Sequence, residues 1–213
     1  MKVGIIFDLD GTLWDATQNM TDSWNDVLQK RGYDVRLTRE QVLKEMGKTM
    51  EPIADSLFSM IEVPERYDLL QECLEYGNEY LAEHGGILYD GVEQVFERLN
   101  EKYQVIIVSN GQLDYVKTFI EYFDFGKYIS DYEEAGRTGK PKADNIKLVI
   151  ERNNLNQAFY VGDTLGDMKS TDEAGIFFIH AAYGFGTVPA DRMKIDRIID
   201  LPDFIDSLIE KKF

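Results

Sequence analysis

The order of elements predicts an α/β protein: a doubly wound parallel sheet with a four-helix segment inserted behind its first strand. Three observations carry that prediction. An apolar run, Val3-Gly4-Ile5-Ile6-Phe7, opens the chain as a short buried strand and runs straight into two carboxylates, Asp8 and Asp10. Residues 13 to 83 then carry only helical periodicity. From about Gly85 onward, apolar strand runs alternate with helical stripes, the pattern of βαβ units.

Within the inserted segment, Met20, Trp24, Val27 and Leu28 lie at helical spacing, as do Ile53, Leu57, Met60 and Ile61. Thr38 followed three residues on by Gln41 predicts a capping box opening a short helix with Val42, Leu43 and Met46. Tyr67, Leu70, Leu74 and Leu81 make a fourth stripe. Beyond Gly85, Val92, Val95, Phe96 and Leu99 predict a helix and Val105-Ile106-Ile107-Val108 a buried strand. A helix from Leu113, a short strand near Tyr128-Ile129 and a helix opened by Pro141 follow. A strand through Val161, a helix ending near Gly175, the strand Ile176-Phe177-Phe178-Ile179, a strand at Ile198-Ile199 and a closing helix with Phe204, Ile205, Leu208 and Ile209 complete the alternation. The expected division is a core of residues 1–14 and 85–213 and a helical cap of residues 15–84.

Composition narrows the function classes. The 213 residues are 44% hydrophobic, enough for a packed core. A net charge of -16, from 39 acidic against 23 basic residues, excludes nucleic acid and anionic membrane as expected partners, since both demand a basic surface. A lone cysteine, Cys73, makes no intrachain disulfide and suits a reducing compartment. The apolar run before Asp8 is too short for a signal peptide and no run has transmembrane length, so the expected location is cytoplasmic.

Chemistry concentrates at predicted strand ends. Asp8 and Asp10 follow the first strand; Asp163 and Asp167 follow the strand through Val161. In open α/β sheets that edge is where ligands bind. Carboxylates crowded to ~4 Å repel by about 4 kcal/mol per pair at an effective dielectric near 20. Protonation or a hard cation with oxygen ligands relieves this.

Four segments, Asp8-Leu9-Asp10-Gly11-Thr12, Ser109-Asn110-Gly111, Gly139-Lys140-Pro141-Lys142 and Gly162-Asp163-Thr164-Leu165-Gly166-Asp167, fall in this order at strand ends. Together they resemble the four motifs of the haloacid dehalogenase superfamily, mostly Mg²⁺-dependent phosphatases. The helical insert resembles that family's type-1 cap, and Ala182-Tyr183-Gly184-Phe185-Gly186 resembles a loop of its phosphoglycolate-phosphatase-like members. The resemblance implies that Asp8 is the nucleophile, forming an aspartyl-phosphate, and Asp10 the general acid/base. It implies Mg²⁺ held by Asp8, Asp163 and the backbone carbonyl of Asp10, with Asp167 in support. Ser109 and the backbone around Asn110 and Gly111 would hold the phosphate at the start of a helix. Lys140, directly before Pro141, is the expected phosphate lysine, with Lys142 the alternative.

Asp-Gly is also ordinary turn chemistry, and the first segment alone is explained by a turn with a helix cap; the other three segments argue against that. Ser109 serves equally as a cap, and His180, His84 and Cys73 read as structural residues. Lys48, in Gly47-Lys48-Thr49 between two cap helices, is a candidate for contact with the leaving group, with a solvated loop lysine as its rival. The expected activity is hydrolysis of a small phosphorylated metabolite. A phosphomutase or pyrophosphatase of the same superfamily is the first alternative, and a non-catalytic ligand-binding protein on the same fold the second. Ala143 stands where many phosphoglycolate-phosphatase-like chains carry proline, which bears on the subfamily rather than the reaction.

Overall fold

The structure, a computed structural model, describes residues 1–210. In chain order it comprises β1 (Val3–Phe7), β2 (Trp14–Asp15), α1 (Thr17–Lys30), α2 (Arg39–Leu43), α3 (Met50–Leu57), α4 (Glu65–His84) and β3 (Ile87–Leu88). Then come α5 (Val92–Asn100), β4 (Gln104–Ser109), α6 (Tyr115–Tyr122), β5 (Ile129–Glu134), α7 (Ala135–Thr138) and α8 (Lys142–Arg152). The chain continues through β6 (Gln157–Gly162), α9 (Leu165–Ala174), β7 (Phe177–Ala181), β8 (Lys194–Ile195) and α10 (Leu201–Glu210).

The sheet has the order β5-β4-β1-β6-β7-β8, and every neighbouring pair is parallel. After β1 the chain builds outward through β4 and β5, then returns to the other side of β1 for β6, β7 and β8. That reversal places a crevice beyond the carboxyl end of β1, flanked by the ends of β4 and β6. The central strands are buried on both faces, which is why they read as continuous apolar runs. Ile5, Phe7, Val105, Ile107, Phe159 and Val161 face one layer. Ile6, Ile106, Val108 and Tyr160 face the other, against Ile146 and Val149 of α8 and Met168 of α9.

The four helices from Thr17 to His84 pack chiefly on one another, α1 against α4, and α4 also rests on α6. Their apolar residues, Met20, Trp24, Ile53 and Leu74 among them, join the same continuous core as the first face of the sheet. The Thr38–Gln41 capping box forms as expected. A two-stranded antiparallel ribbon, β2 with β3, ties the point where the chain leaves the sheet domain to the point where it returns, pairing Trp14 with Leu88 and Asp15 with Ile87.

Two expectations need correction. Ile198 and Ile199 form no strand; they lie in a 3-10 turn, Ile198–Asp200, with Ile198 buried. The last position of the sheet is instead filled by β8, whose two residues are too few to leave an alternating signature. The helix expected from Leu113 begins at Tyr115, after Asp114 in a left-handed conformation (φ 66°). Among the described residues, no helix is long and apolar enough to cross a membrane.

Candidate active site

Asp8 is the first residue beyond β1, and its N–H still donates to the carbonyl of Val161 at 2.8 Å, so the β1–β6 ladder holds it in place. The chain then turns tightly: the N–H of Leu13 returns to the Leu9 carbonyl at 2.9 Å, and that of Gly11 to the Trp14 carbonyl at 2.9 Å. Gly11 has φ +77°, and a Cβ there would collide with the Asp163 carboxylate, so this position requires glycine on both counts. The turn carries Asp10 back over the sheet edge, where its Oδ1 accepts from the Tyr115 hydroxyl at 2.7 Å and the Trp14 indole N–H at 3.1 Å.

The second acidic pair comes from the end of β6. Thr164 is the N-cap of α9, and its capping box is completed by Asp167 rather than by a glutamate: the Asp167 N–H donates to Thr164 Oγ1 at 3.1 Å, and the Thr164 N–H to Asp167 Oδ2 at 2.9 Å. Asp163 lies one residue before the cap. Its Oδ2 accepts from the backbone N–H groups of Phe185 at 2.7 Å and Gly186 at 3.2 Å, in the loop after β7. Its Oδ1 is buried with no hydrogen-bond partner.

Lys142, not Lys140, stands among these carboxylates. Its Nζ is 2.8 Å from Asp8 Oδ1 and 2.6 Å from Asp167 Oδ1, and all three side chains are buried. Lys140 is exposed in the preceding loop, where its N–H donates to Thr138 Oγ1 at 3.1 Å. The reason is helical phase. Pro141 is the extended N-cap of α8, so Lys142 is the first helical residue and shares the buried face with Ile146 and Val149. Lys140 precedes the turn and stays outside.

Ser109 ends β4 and is buried at the same edge, its Oγ accepting from the Gly111 N–H at 3.0 Å. No helix begins there: residues 110–114 form a loop before α6, so the expected helix N-terminus behind the phosphate is absent from that position. The Asn110 side chain reaches away, donating to the Gly47 carbonyl of the insert at 2.7 Å. Lys48 is held by Glu45, Nζ to Oε2 at 2.7 Å, and Ser56 donates to the other Glu45 oxygen at 2.7 Å. Asp8, Asp10, Ser109, Asn110 and Lys48 all line one cavity between the sheet edge and the insert.

Electrostatics follow from crowding and burial. Burial, reinforced by Asp167, raises the Asp8 carboxyl well above the usual range against the pull of Lys142. Burial also lifts Asp10 to about 7, opposed by the hydrogen bond from Tyr115. Asp163 is raised to about 7 by burial and then by Asp167. Burial works against the Lys142 ammonium, yet Asp167 and Asp8 hold it protonated well above its ordinary range. Asp8, Asp163 and Asp167 each bring a carboxylate oxygen within 4.8 Å of the others. With the unpartnered Asp163 Oδ1 among them, this donor set fits a hard divalent cation with oxygen ligands. The Asp10 side chain is held through Oδ1 by Tyr115 and Trp14 and is not part of this donor set.

Sequence reasoning missed Tyr115 and the Phe185–Gly186 amides as supports for Asp10 and Asp163. A tyrosine on a helix and a Gly-rich loop after a strand have many other uses, so neither carries a local signal of contact across the fold. Trp14 packs against Tyr115 and Phe119 in the core and does not form a substrate platform.

Comparison with known proteins gives the family and the fold. The haloacid dehalogenase-like hydrolase family matches residues 5–181. The phosphoglycolate phosphatase of Aliivibrio fischeri is 25% identical over 193 residues, covering 85% of this chain and 84% of its own. A putative haloacid dehalogenase-like hydrolase from Bacteroides fragilis has the same fold, with a TM-score of 0.80 at 20% identity over 94% of this chain and 100% of its own. CbbY from Rhodobacter sphaeroides, solved with xylulose-(1,5)bisphosphate, superposes with a TM-score of 0.78 at 18% identity over 94% of this chain and 96% of its own. The chain therefore belongs to the haloacid dehalogenase-like hydrolases, and its likeness within them is to phosphoglycolate phosphatases.

Proposed function

We propose that this enzyme, a phosphatase, hydrolyses a small phosphorylated metabolite with Mg²⁺ through an aspartyl-phosphate on Asp8. The observation that carries the reading is the buried set of Asp8, Asp163 and Asp167, with an unpartnered Asp163 oxygen, directly beneath the cavity that Asp10 lines. Mg²⁺ held by Asp8, Asp163 and the Asp10 carbonyl, with Asp167 nearby, would neutralise charge between a carboxylate and a phosphate dianion.

The residues divide the reaction. An Asp8 carboxylate oxygen attacks phosphorus, the bond from phosphorus to the ester oxygen breaks, and protonated Asp10 gives its proton to the departing alkoxide. A carboxyl raised to about 7 is suited to that exchange near neutral pH. Asp10 then takes a proton from water, whose oxygen attacks the phosphorus of the Asp8 phosphoanhydride. The bond from phosphorus to Asp8 breaks, inorganic phosphate leaves and the carboxylate is restored. Ser109 and backbone groups near Asn110 would hold the phosphate. Lys142, the alternative to Lys140 as the phosphate lysine, fixes the orientation of Asp8 and balances its charge. Residues 15–84 act as a cap over a core of residues 1–14 and 85–213, closing the cavity against water. The lone buried Cys73 suits a cytoplasmic setting.

Turnover of phosphomonoesters should be abolished by EDTA and restored by Mg²⁺. Asp8→Asn should lower kcat/KM on the order of 10⁴-fold or more, as loss of a nucleophile does elsewhere. Turnover that survives either treatment would overturn the mechanism.

A further inference from the structure

The far wall of the active-site cavity is made by the insert, and its composition narrows the substrate. Met20, Trp24, Met46, Met50, Ile53 and Leu74 form an apolar lining opposite Asp8 and Asp10. Most polar side chains of the same lining are held by neighbouring groups, while the Trp24 indole N–H is buried without a partner. Gln112 donates from its amide nitrogen to Asn78 Oδ1 at 2.7 Å and to the Leu74 carbonyl at 3.3 Å. Asn110 donates to Gly47. Lys48 is the one cation among the described residues of the lining, and it is paired with buried Glu45, which Ser56 also holds.

A leaving group carrying a carboxylate or a second phosphate needs a free cation or several free donors where it docks, because an unpaired buried charge is strongly disfavoured. This wall offers a cation already neutralised by its neighbour, an indole N–H at Trp24 that suits a neutral acceptor, and an apolar surface rich in methionine, a side chain that adapts to irregular aliphatic shapes.

We propose that the preferred substrate is a phosphomonoester of an uncharged, predominantly apolar alcohol, and that the Glu45–Lys48 pair excludes anionic leaving groups. The proposal rests on the phosphatase reading above and adds to it the class of leaving group. It also separates this chain from the substrate that names its phosphoglycolate phosphatase relatives, whose leaving group carries a carboxylate.

The test measures kcat/KM, with Mg²⁺ present, along a series of primary alkyl phosphates from methyl to hexyl, beside phosphoglycolate and a sugar bisphosphate. A straight-chain series keeps the intrinsic reactivity of the ester nearly constant, so the trend reports burial of the chain. The expected result is a rise of about threefold per methylene over the first few carbons, with the longer alkyl esters at least about tenfold better than phosphoglycolate. In Glu45→Gln, which keeps an acceptor for Ser56 and frees Lys48, the preference should move about fivefold or more toward phosphoglycolate. A flat or falling series, or wild-type preference for phosphoglycolate or the bisphosphate, would overturn the proposal and leave the phosphatase reading standing. No turnover of any ester would bring down the phosphatase reading, and this one with it.

Discussion

At the sheet edge, Asp8, Asp163, Asp167 and Lys142 crowd together with almost no exposure to solvent, Asp8 and Asp167 tied to Lys142 and Asp163 to the loop after β7. Across the cavity, the insert presents methionines, Ile53 and Leu74, broken by the Glu45–Lys48 pair and the Trp24 indole N–H. The first surface is costly to build, because buried charges must be matched, and it therefore tolerates little change. The second rests on dispersion and burial, where volume-conserving exchange costs little. In the proposed mechanism, chemistry that must be positioned to fractions of an ångström falls to the former, and selectivity to the latter.

Among substitutions that break this contrast, the largest effect after loss of Asp8 itself is expected from Lys142→Met. The methionine keeps much of the stem volume but leaves Asp8 and Asp167 buried without their shared cation. Breaking such a pair by removing one partner costs about 3–5 kcal/mol. Urea unfolding of the metal-free variant should show a loss of that order at pH 8, shrinking toward pH 5 as the carboxyls take up protons. An unfolding midpoint equal to wild type at pH 8 would show that the carboxylates do not need the lysine.

The metal should sharpen the same surface in a pH-dependent way. Burial, and then Asp167, push the Asp163 carboxyl up to about 7 from an ordinary value of 3.8, and burial shifts Asp8 in the same direction. Between those limits the folded state holds more protons than the unfolded chain, so these groups make metal-free stability fall as pH rises. Mg²⁺ held as proposed would take the deprotonated carboxylates, so its stabilising increment should grow from pH 5 to pH 7 and level off above that. Melting temperatures with and without Mg²⁺ at four pH values provide the measurement. An increment independent of pH would detach these carboxyls from the metal.

A smaller effect is expected where the sheet edge supports Asp10. Tyr115→Phe removes one hydrogen bond from Oδ1 and leaves that of Trp14. A bond to a charged group contributes about 1.5 kcal/mol or more, corresponding to roughly a tenfold loss in kcat. The Tyr115 bond holds the Asp10 carboxyl down against burial, so the ionisation of Asp10 in the kcat profile should move to higher pH in the variant. A tenfold loss with no displacement of the profile would make Tyr115 a packing residue only.

The alternation of strands and helices was legible because the central strands are buried on both faces and leave unbroken apolar runs such as Val105 to Val108. Three of the four segments were legible because each directly follows such a run, whereas Gly139 to Lys142 comes after the polar strand β5 and the short helix α7. What escaped has physical causes. The ribbon of β2 and β3 and the edge strand β8 have two residues each, too short for any periodicity. Ile198 is buried from a 3-10 turn, where an apolar residue satisfies the core without a strand. Tyr115 meets Asp10 only through the tertiary fold.

The smallest expected effect settles the two lysines, and here the sequence did hold the deciding signal. Lys142, Ile146 and Val149 stand at i, i+4 and i+7, one stripe of a helix whose start Pro141 marks, whereas Lys140 lies before that start. Adjacency to proline pointed to Lys140; helical phase pointed to Lys142. In the structure Lys140 contributes only backbone contacts, its N–H donating to Thr138 and its carbonyl accepting from Asn145 Nδ2 at 3.2 Å, and alanine retains both. Lys140→Ala should therefore leave stability within about 0.5 kcal/mol and kcat/KM within about twofold, an exposed charge at that distance being screened by salt. A tenfold loss in kcat/KM at unchanged stability would mean that the loop before α8 folds inward when substrate binds. The cation facing the phosphate would then come from a mobile loop, and the contrast between a fixed sheet edge and an adaptable insert would fail at that point.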